Sequence, residues 1–140
     1  MKATRHYVMN LLKTNLTDIK TFISGYPLML KNEWCPLVTV YSESETVNWK
    51  ATGTYESILD LQIMIGVDAS KEMNSDNKGM ANEDLLNDTA QKIKDILFKN
   101  PQVDDNTIIQ GITQIEYRAN LEVAVRLAVI RVRYRKLYAR

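Results

Sequence analysis

The segment that most constrains the fold is the last twenty residues, 121–140, which read as one long β-strand. Up to position 129 the odd positions are apolar: Leu121, Val123, Val125, Leu127 and Val129. From position 131 the odd positions are arginines and the apolar side chains take the even positions: Ile130, Val132 and Tyr134. Because side chains alternate between the faces of a strand, the core-facing side is expected to change between 128 and 130, through a β-bulge or a new packing environment. We expect residues 121–129 to lie in the core and residues 130–138 to meet a neighbouring molecule.

The other extended segments indicate a mostly antiparallel sheet. Residues 55–68 alternate apolar and polar side chains, which is typical of a strand with one buried face. Residues 36–45 and 107–118 predict two further strands, and residues 46–53 a hairpin tip. Residues 17–35 predict a short strand or turn followed by an irregular segment, and Asn120 a tight turn.

Two segments carry helical periodicity. Residues 4–16 predict a helix capped by Thr4, and residues 83–99 predict a second helix capped by Asn82. A polar connection, 69–82, precedes the second helix, and connections of that length are often functional. The order of elements predicts one α+β domain over residues 1–140, with two main helices packed on one face of the sheet and with the hairpin and the polar loop projecting.

Composition offers little for catalysis. The net charge is +1, and the chain has one histidine and one cysteine, His6 and Cys35, too few for a usual transition-metal site. We expect neither enzyme activity nor a cofactor. The first residues contain no signal-peptide-like apolar segment, and no run is long enough to span a bilayer, so we expect no membrane partner. An enzyme whose site is spread over loops remains an alternative, which a deep pocket lined by Glu43, Glu56 or Asp60 would favour.

Two surface features remain. The basic strand is either an edge strand that its arginines protect or an interface in which arginines pair with carboxylates. The hairpin carries aromatic side chains that are frequent interface anchors. The predicted interface residues come from the hairpin, the polar loop and the terminal strand: Trp49, Lys50, Tyr55, Lys71, Glu72, Asp76, Lys78, Arg131, Arg133 and Arg135.

The whole pattern resembles the tail terminator or tail completion proteins of tailed bacteriophages. An N-terminal helix is followed by a strand that opens at Cys35-Pro36, and the hairpin returns through residues 59–67. A polar loop leads to the helix that contains residues 88–97, and strands at 112–118 and 129–134 close the chain. The resemblance is one of element order and covers most of the chain.

The resemblance implies a ring of identical subunits, expected to be a hexamer, that caps the tail tube and faces the head-side connector or head-completion protein. The expected location is the virion tail or neck, after assembly in the host cytoplasm. DNA in the lumen is expected to be contacted non-specifically at most, because the net charge is near zero. Head-completion, tube and baseplate subunits are alternatives, as is a small adaptor module that captures an acidic partner on the basic strand.

Overall fold

The computed structural model describes residues 1–27, 29–50, 53–72 and 78–139. The elements in chain order are α1 (Lys2–Asn15), β1 (Thr21–Ser24), a 3-10 turn (Asn32–Trp34), β2 (Leu37–Trp49), β3 (Thr54–Asp68), α2 (Lys78–Lys99), β4 (Gln102–Asp104), β5 (Thr107–Asn120) and β6 (Val125–Ala139). Within these residues no helix is both long and apolar enough to cross a membrane.

The strands form a six-stranded sheet in the order β1-β2-β3-β6-β5-β4, antiparallel except for the β1–β2 pair. The α+β prediction is therefore confirmed. The terminal strand β6 lies between β3 and β5, in the middle of the sheet. The reading of the basic strand as a protected edge strand is therefore wrong.

Both helices pack on one face of the sheet, as the sequence predicted. Their apolar stripes, which include Val8 and Leu12 of α1 and Leu86 and Ile93 of α2, join one core cluster with β2, β3 and β6. The odd positions of β3 supply its centre: Leu59, Leu61, Ile63 and Ile65, all fully buried. The 15-residue β3 alternates because one of its faces is covered by helices over most of its length.

A smaller cluster occupies the opposite face at one end of the sheet. Met64, Val125, Leu127 and Val129 pack there under Leu30 and Cys35, which belong to the segment between β1 and β2. This cluster explains the change of pattern in the terminal strand. β6 pairs with β3 without any register shift, so β6 has no bulge there. Both faces of β6 are apolar where the main core covers one face and the smaller cluster covers the other. The arginines begin where the smaller cluster ends.

Two expectations for the terminal strand are corrected by this packing. Ile130, Val132 and Tyr134 are fully buried in the chain's own main core, so they are not packing for a neighbour. Leu121, expected in the core, is 89% exposed, because residues 121–124 form the turn between β5 and β6.

The predicted ends of several elements also differ. α1 begins at Lys2 with Thr4 buried inside it, and the hairpin residues 46–49 continue β2 instead of forming a turn. α2 begins at Lys78, and Asn82 lies within it, where its side-chain amide donates to the main-chain oxygen of Asp68 at 3.2 Å. A tertiary hydrogen bond has thus taken the residue that looked like a cap. The polar connection is shorter than expected, and its residues 73–77 lie outside the described residues.

Candidate assembly surfaces

The terminal arginines form a ladder of ion pairs on the outer face of the sheet, the face away from the helices. Arg133 Nε lies 2.9 Å from Asp60 Oδ1, its direct cross-strand partner. The neighbouring rungs join Arg131 Nη2 to Glu43 Oε1 at 3.3 Å and Arg135 Nε to Glu56 Oε2 at 2.6 Å. We call these three pairs the arginine ladder. The rungs to Asp60 and Glu56 form because the odd positions of β6 face the even positions of β3 across the sheet. The third rung reaches over β3 to Glu43 of β2.

Two members of these rungs, Glu56 and Arg133, have pKa values shifted in favour of the charged form. The hydrogen bond from Arg135 lowers the pKa of Glu56 below its usual value, against the opposing effect of desolvation. The hydrogen bond to Asp60, followed by its charge, raises the pKa of Arg133. Each predicted interface arginine therefore already has a carboxylate in its own chain, while its side chain keeps 37–44% of its surface exposed. A contact from an arginine to a neighbour or to phosphate has to compete with that carboxylate or add to it.

A deep pocket lined by Glu43, Glu56 or Asp60 would have favoured the enzyme alternative. Glu43, Glu56 and Asp60 are instead spread along the ladder, each with its own arginine. Cys35 is half-buried, and desolvation, with a smaller contribution from the charge of Asp68, raises the pKa of its thiol to about 11. At neutral pH this cysteine is therefore a protonated packing group.

An aromatic row lies at the hairpin end of the sheet. Trp49, Tyr55 and Tyr138 are directly paired across β2, β3 and β6. The rings of Tyr55 and Tyr138 stack with centroids 4.4 Å apart, and Trp49 lies 4.6 Å from Tyr55 with 64% of its surface exposed. Lys50 lines an adjoining open cavity of about 340 Å³ together with Tyr55 and Tyr138. Trp49, Lys50 and Tyr55 were predicted from the sequence, but Tyr138 was not, because its place in the row depends on the β3–β6 register.

The polar loop lies at the other end of the sheet. Arg126 bridges this loop and α2, with Nε 2.5 Å from Glu72 Oε1 and Nη1 2.8 Å from Glu83 Oε1. Glu72 is thus held within the chain, and Lys71 beside it is exposed. Lys78 is the first residue of α2, and Asp76 lies outside the described residues. Arg126 was missed as a site residue, although it is the one charged side chain among the buried positions at the start of β6.

The structure does not bring the hairpin and the loop together. They lie at opposite ends of β3, whose 15 residues extend about 45 Å at roughly 3.3 Å per residue. One small partner surface cannot contact both.

Two stretches of open sheet edge complete the candidate surfaces. β1 pairs only with Leu37–Val40, and among the described residues no strand pairs with the outer edge of β2 over Tyr41–Asn48. On the opposite side, β4 pairs only with the start of β5, which leaves the edge over Gly111–Asn120 without a strand in the described part of the chain. Open edges of this length are templates for pairing with another chain.

Comparison with known proteins gives a relative in fold alone. No protein-family model matches the sequence, and no curated protein matches it either. Among solved structures, a chain of the virion of a native gene transfer agent particle matches with a TM-score of 0.56 at 15% sequence identity. The alignment covers 98% of this chain and 96% of that chain. The two chains therefore share a fold over nearly their whole lengths.

Proposed function

We propose that the chain is a structural subunit of a phage-like virion and acts as a tail terminator, forming a ring that caps the tail tube. The observation that carries this proposal is the fold shared with a gene transfer agent virion chain over almost the entire length of both. A match of whole chain to whole chain means that the similarity is not confined to a common motif. The element order seen in the sequence pointed to the same class of protein before the fold was considered.

The surfaces of the chain support an assembly role over catalysis. Glu43, Glu56 and Asp60 are engaged in ion pairs along an open sheet, and the thiol of Cys35 is protonated at neutral pH. The chain's distinctive features are instead two open edges, an exposed aromatic row and a ladder of half-exposed ion pairs. The two edges lie on opposite sides of one subunit, which is the arrangement that a closed, head-to-tail ring of identical copies requires.

The proposed ring has the same subunit on every side and different partners above and below. The tail-tube protein is the proposed partner on one side, and a head-side connector or head-completion protein on the other. We infer a hexamer, as the resemblance to tail terminators implies. The ring blocks tube growth because its far surface differs from the surface that receives a tube subunit.

Light scattering coupled to size-exclusion chromatography tests the ring. The expected result is a single closed oligomer whose mass stays constant as protein concentration rises. Continued growth with concentration would indicate a tube subunit. A strict monomer at micromolar concentration, unchanged by added tube protein, would overturn the proposal.

Tube assembly in the presence of the protein tests the terminating role. With purified tube protein from the same virion, we expect the chain to cap tube ends and to shorten the tubes seen by electron microscopy. A ring that leaves tube length unchanged would still be consistent with a virion subunit but would exclude the terminator role.

A further inference from the structure

We infer that neighbouring subunits of this ring join their sheets edge to edge, the open edge of β2 in one copy pairing antiparallel with the open edge of β5 in the next. This inference rests on the proposed function and adds to it the identity of the contact. The interface is then main-chain hydrogen bonding between two named strands, with the arginine ladder close to it but not its basis.

Alternate residues of β2 direct their backbone groups to its open edge. Val40 accepts a hydrogen bond from the N–H of Gly25, at 2.7 Å, on the side away from β3. The N–H and C=O of a strand residue point to the same side and alternate along the strand. Val40 lies opposite Ile63, and Glu45 and Val47 lie opposite Leu59 and Ser57, which are related to Ile63 by even numbers of residues. Glu45 and Val47 therefore also direct their backbone groups to the open edge.

Alternate residues of β5 likewise direct their backbone groups to its open edge. The N–H of Ile109 donates to the main-chain oxygen of Pro101, at 2.8 Å, on the side away from β6. Ile109 lies opposite Tyr134, and Ile115 and Tyr117 lie opposite Ile130 and Ala128, again at even spacing along β6. Ile115 and Tyr117 therefore direct their backbone groups to the open edge of β5.

These groups match as an antiparallel pair. Placing Val47 opposite Ile115 of a second copy places Glu45 opposite the second copy's Tyr117, so that each pair exchanges hydrogen bonds. Val47 and Tyr117 are 43% and 45% exposed, and both side chains lie on the helix-bearing face, where diagonal neighbours on adjacent strands come into contact. Two apolar side chains that one subunit leaves exposed are thus covered by the joined sheet.

The short strands at the edges do not obstruct this pairing. Within one subunit, Val47 lies at the level of Lys136 along β6, and Ile115 lies at the level of Ile130, six residues away. Pairing Val47 with Ile115 of the second copy therefore displaces that copy along the strands by six residues, about 20 Å at roughly 3.3 Å per residue. β1 covers only the start of β2, and β4 covers only the start of β5. The displacement moves β4 of the second copy beyond the end of β2 and leaves β1 below the end of the incoming β5.

The strand directions also fit this pairing. β2 runs opposite to β3, β3 to β6 and β6 to β5, so β2 and β5 of a copy in the same orientation are antiparallel. A stagger at every junction tilts the strands relative to the ring axis, as closure of a sheet requires.

Disulfide trapping tests the register. Thr46 and Glu116 lie between the outward-pointing residues, so in the joined sheet they form a pair without mutual hydrogen bonds, with Cα atoms about 4.5 Å apart, within the range a disulfide spans. In a Cys35→Ala background, the double variant Thr46→Cys with Glu116→Cys should give, on oxidation, a series of covalent oligomers up to ring size. Thr46→Cys combined with Asp88→Cys, on the exposed face of α2, is the matched control and should give no covalent oligomers.

A proline substitution tests the hydrogen bonds. Val47→Pro removes an N–H that points to the open edge and leaves the hydrogen bonds between β2 and β3 in place, so we expect monomers with an unchanged circular dichroism spectrum. Val47→Thr keeps the N–H and the branched side chain and should retain the ring. If the wild type forms rings but the double variant Thr46→Cys with Glu116→Cys gives no covalent oligomers, the inferred pairing of β2 with β5 fails and the proposed function stands. If the wild type forms no ring even with tube protein, both fail.

Discussion

The two faces of β6 differ in chemistry although they belong to alternate residues of one strand. On the helix-bearing face Ile130, Val132 and Tyr134 are fully buried. On the outer face Arg131, Arg133 and Arg135 keep more than a third of their side-chain surface exposed and pair with carboxylates. Burial of apolar surface stabilises by about 25 cal/mol per Å², whereas exposed ion pairs contribute between about 0 and 1 kcal/mol. The helix-bearing face therefore holds the fold together, while the outer face can accept substitutions with little loss of stability.

The largest expected effect comes from the buried face. Ile130→Ala should lower the free energy of unfolding by about 2–5 kcal/mol, because it removes buried methylene groups and leaves a cavity among residues of both helices and β3. Urea denaturation followed by circular dichroism measures this change. A loss below about 1 kcal/mol would mean that the site collapses around the smaller side chain.

A second change on the buried face should have the opposite sign. The hydroxyl of Tyr134 is buried without a hydrogen-bond partner in the described part of the chain, and burial strongly raises the pKa of this tyrosine. Tyr134→Phe removes an unsatisfied polar group and should raise the free energy of unfolding by about 1 kcal/mol. The same denaturation experiment applies, and a clear loss of stability would reveal that the hydroxyl has a partner.

Substitutions on the outer face of β6 should change the free energy of unfolding only slightly. Arg133→Ala should change the free energy of unfolding by less than about 1 kcal/mol, since the pair with Asp60 is partly exposed and screened by salt. The oligomer mass of Arg133→Ala, measured by light scattering, distinguishes two roles for the arginine ladder. An intact ring indicates that the ladder serves the single subunit, and dissociation with unchanged stability indicates that Arg133 also contacts a neighbour.

The smallest expected effect is a dependence of stability on acid pH. Arginine partners lower the pKa of Glu56 and of Glu116, so these groups contribute stability that is present above the unfolded-state pKa and is lost as pH falls through the folded-state pKa. Thermal melting between pH 6 and 3 should show this loss. Arg135→Gln should weaken the pH dependence, and an unchanged slope would mean that Glu56 does not contribute.

The sequence determined the periodic elements. The alternation along residues 55–68 predicted β3 to within one residue at its start, and the helical stripes predicted both helices on one face, because each pattern follows from burial of one side of a regular element. It also pointed to Trp49, which is 64% exposed, and to the terminal arginines, whose side chains stay partly exposed. The helix starts were less well predicted, since Asn82 satisfies a distant carbonyl that no local pattern reveals.

Only the tertiary structure decided which surfaces remain open. The arginines suggested an edge strand, yet β6 is central, because strand order depends on long-range pairing that a single sequence does not encode locally. The same pairing gives each arginine its carboxylate, places Tyr138 beside Tyr55 and leaves the edges of β2 and β5 open. Periodicity specifies which side of each strand is buried, but the neighbours of that strand are set by the packing of the whole chain.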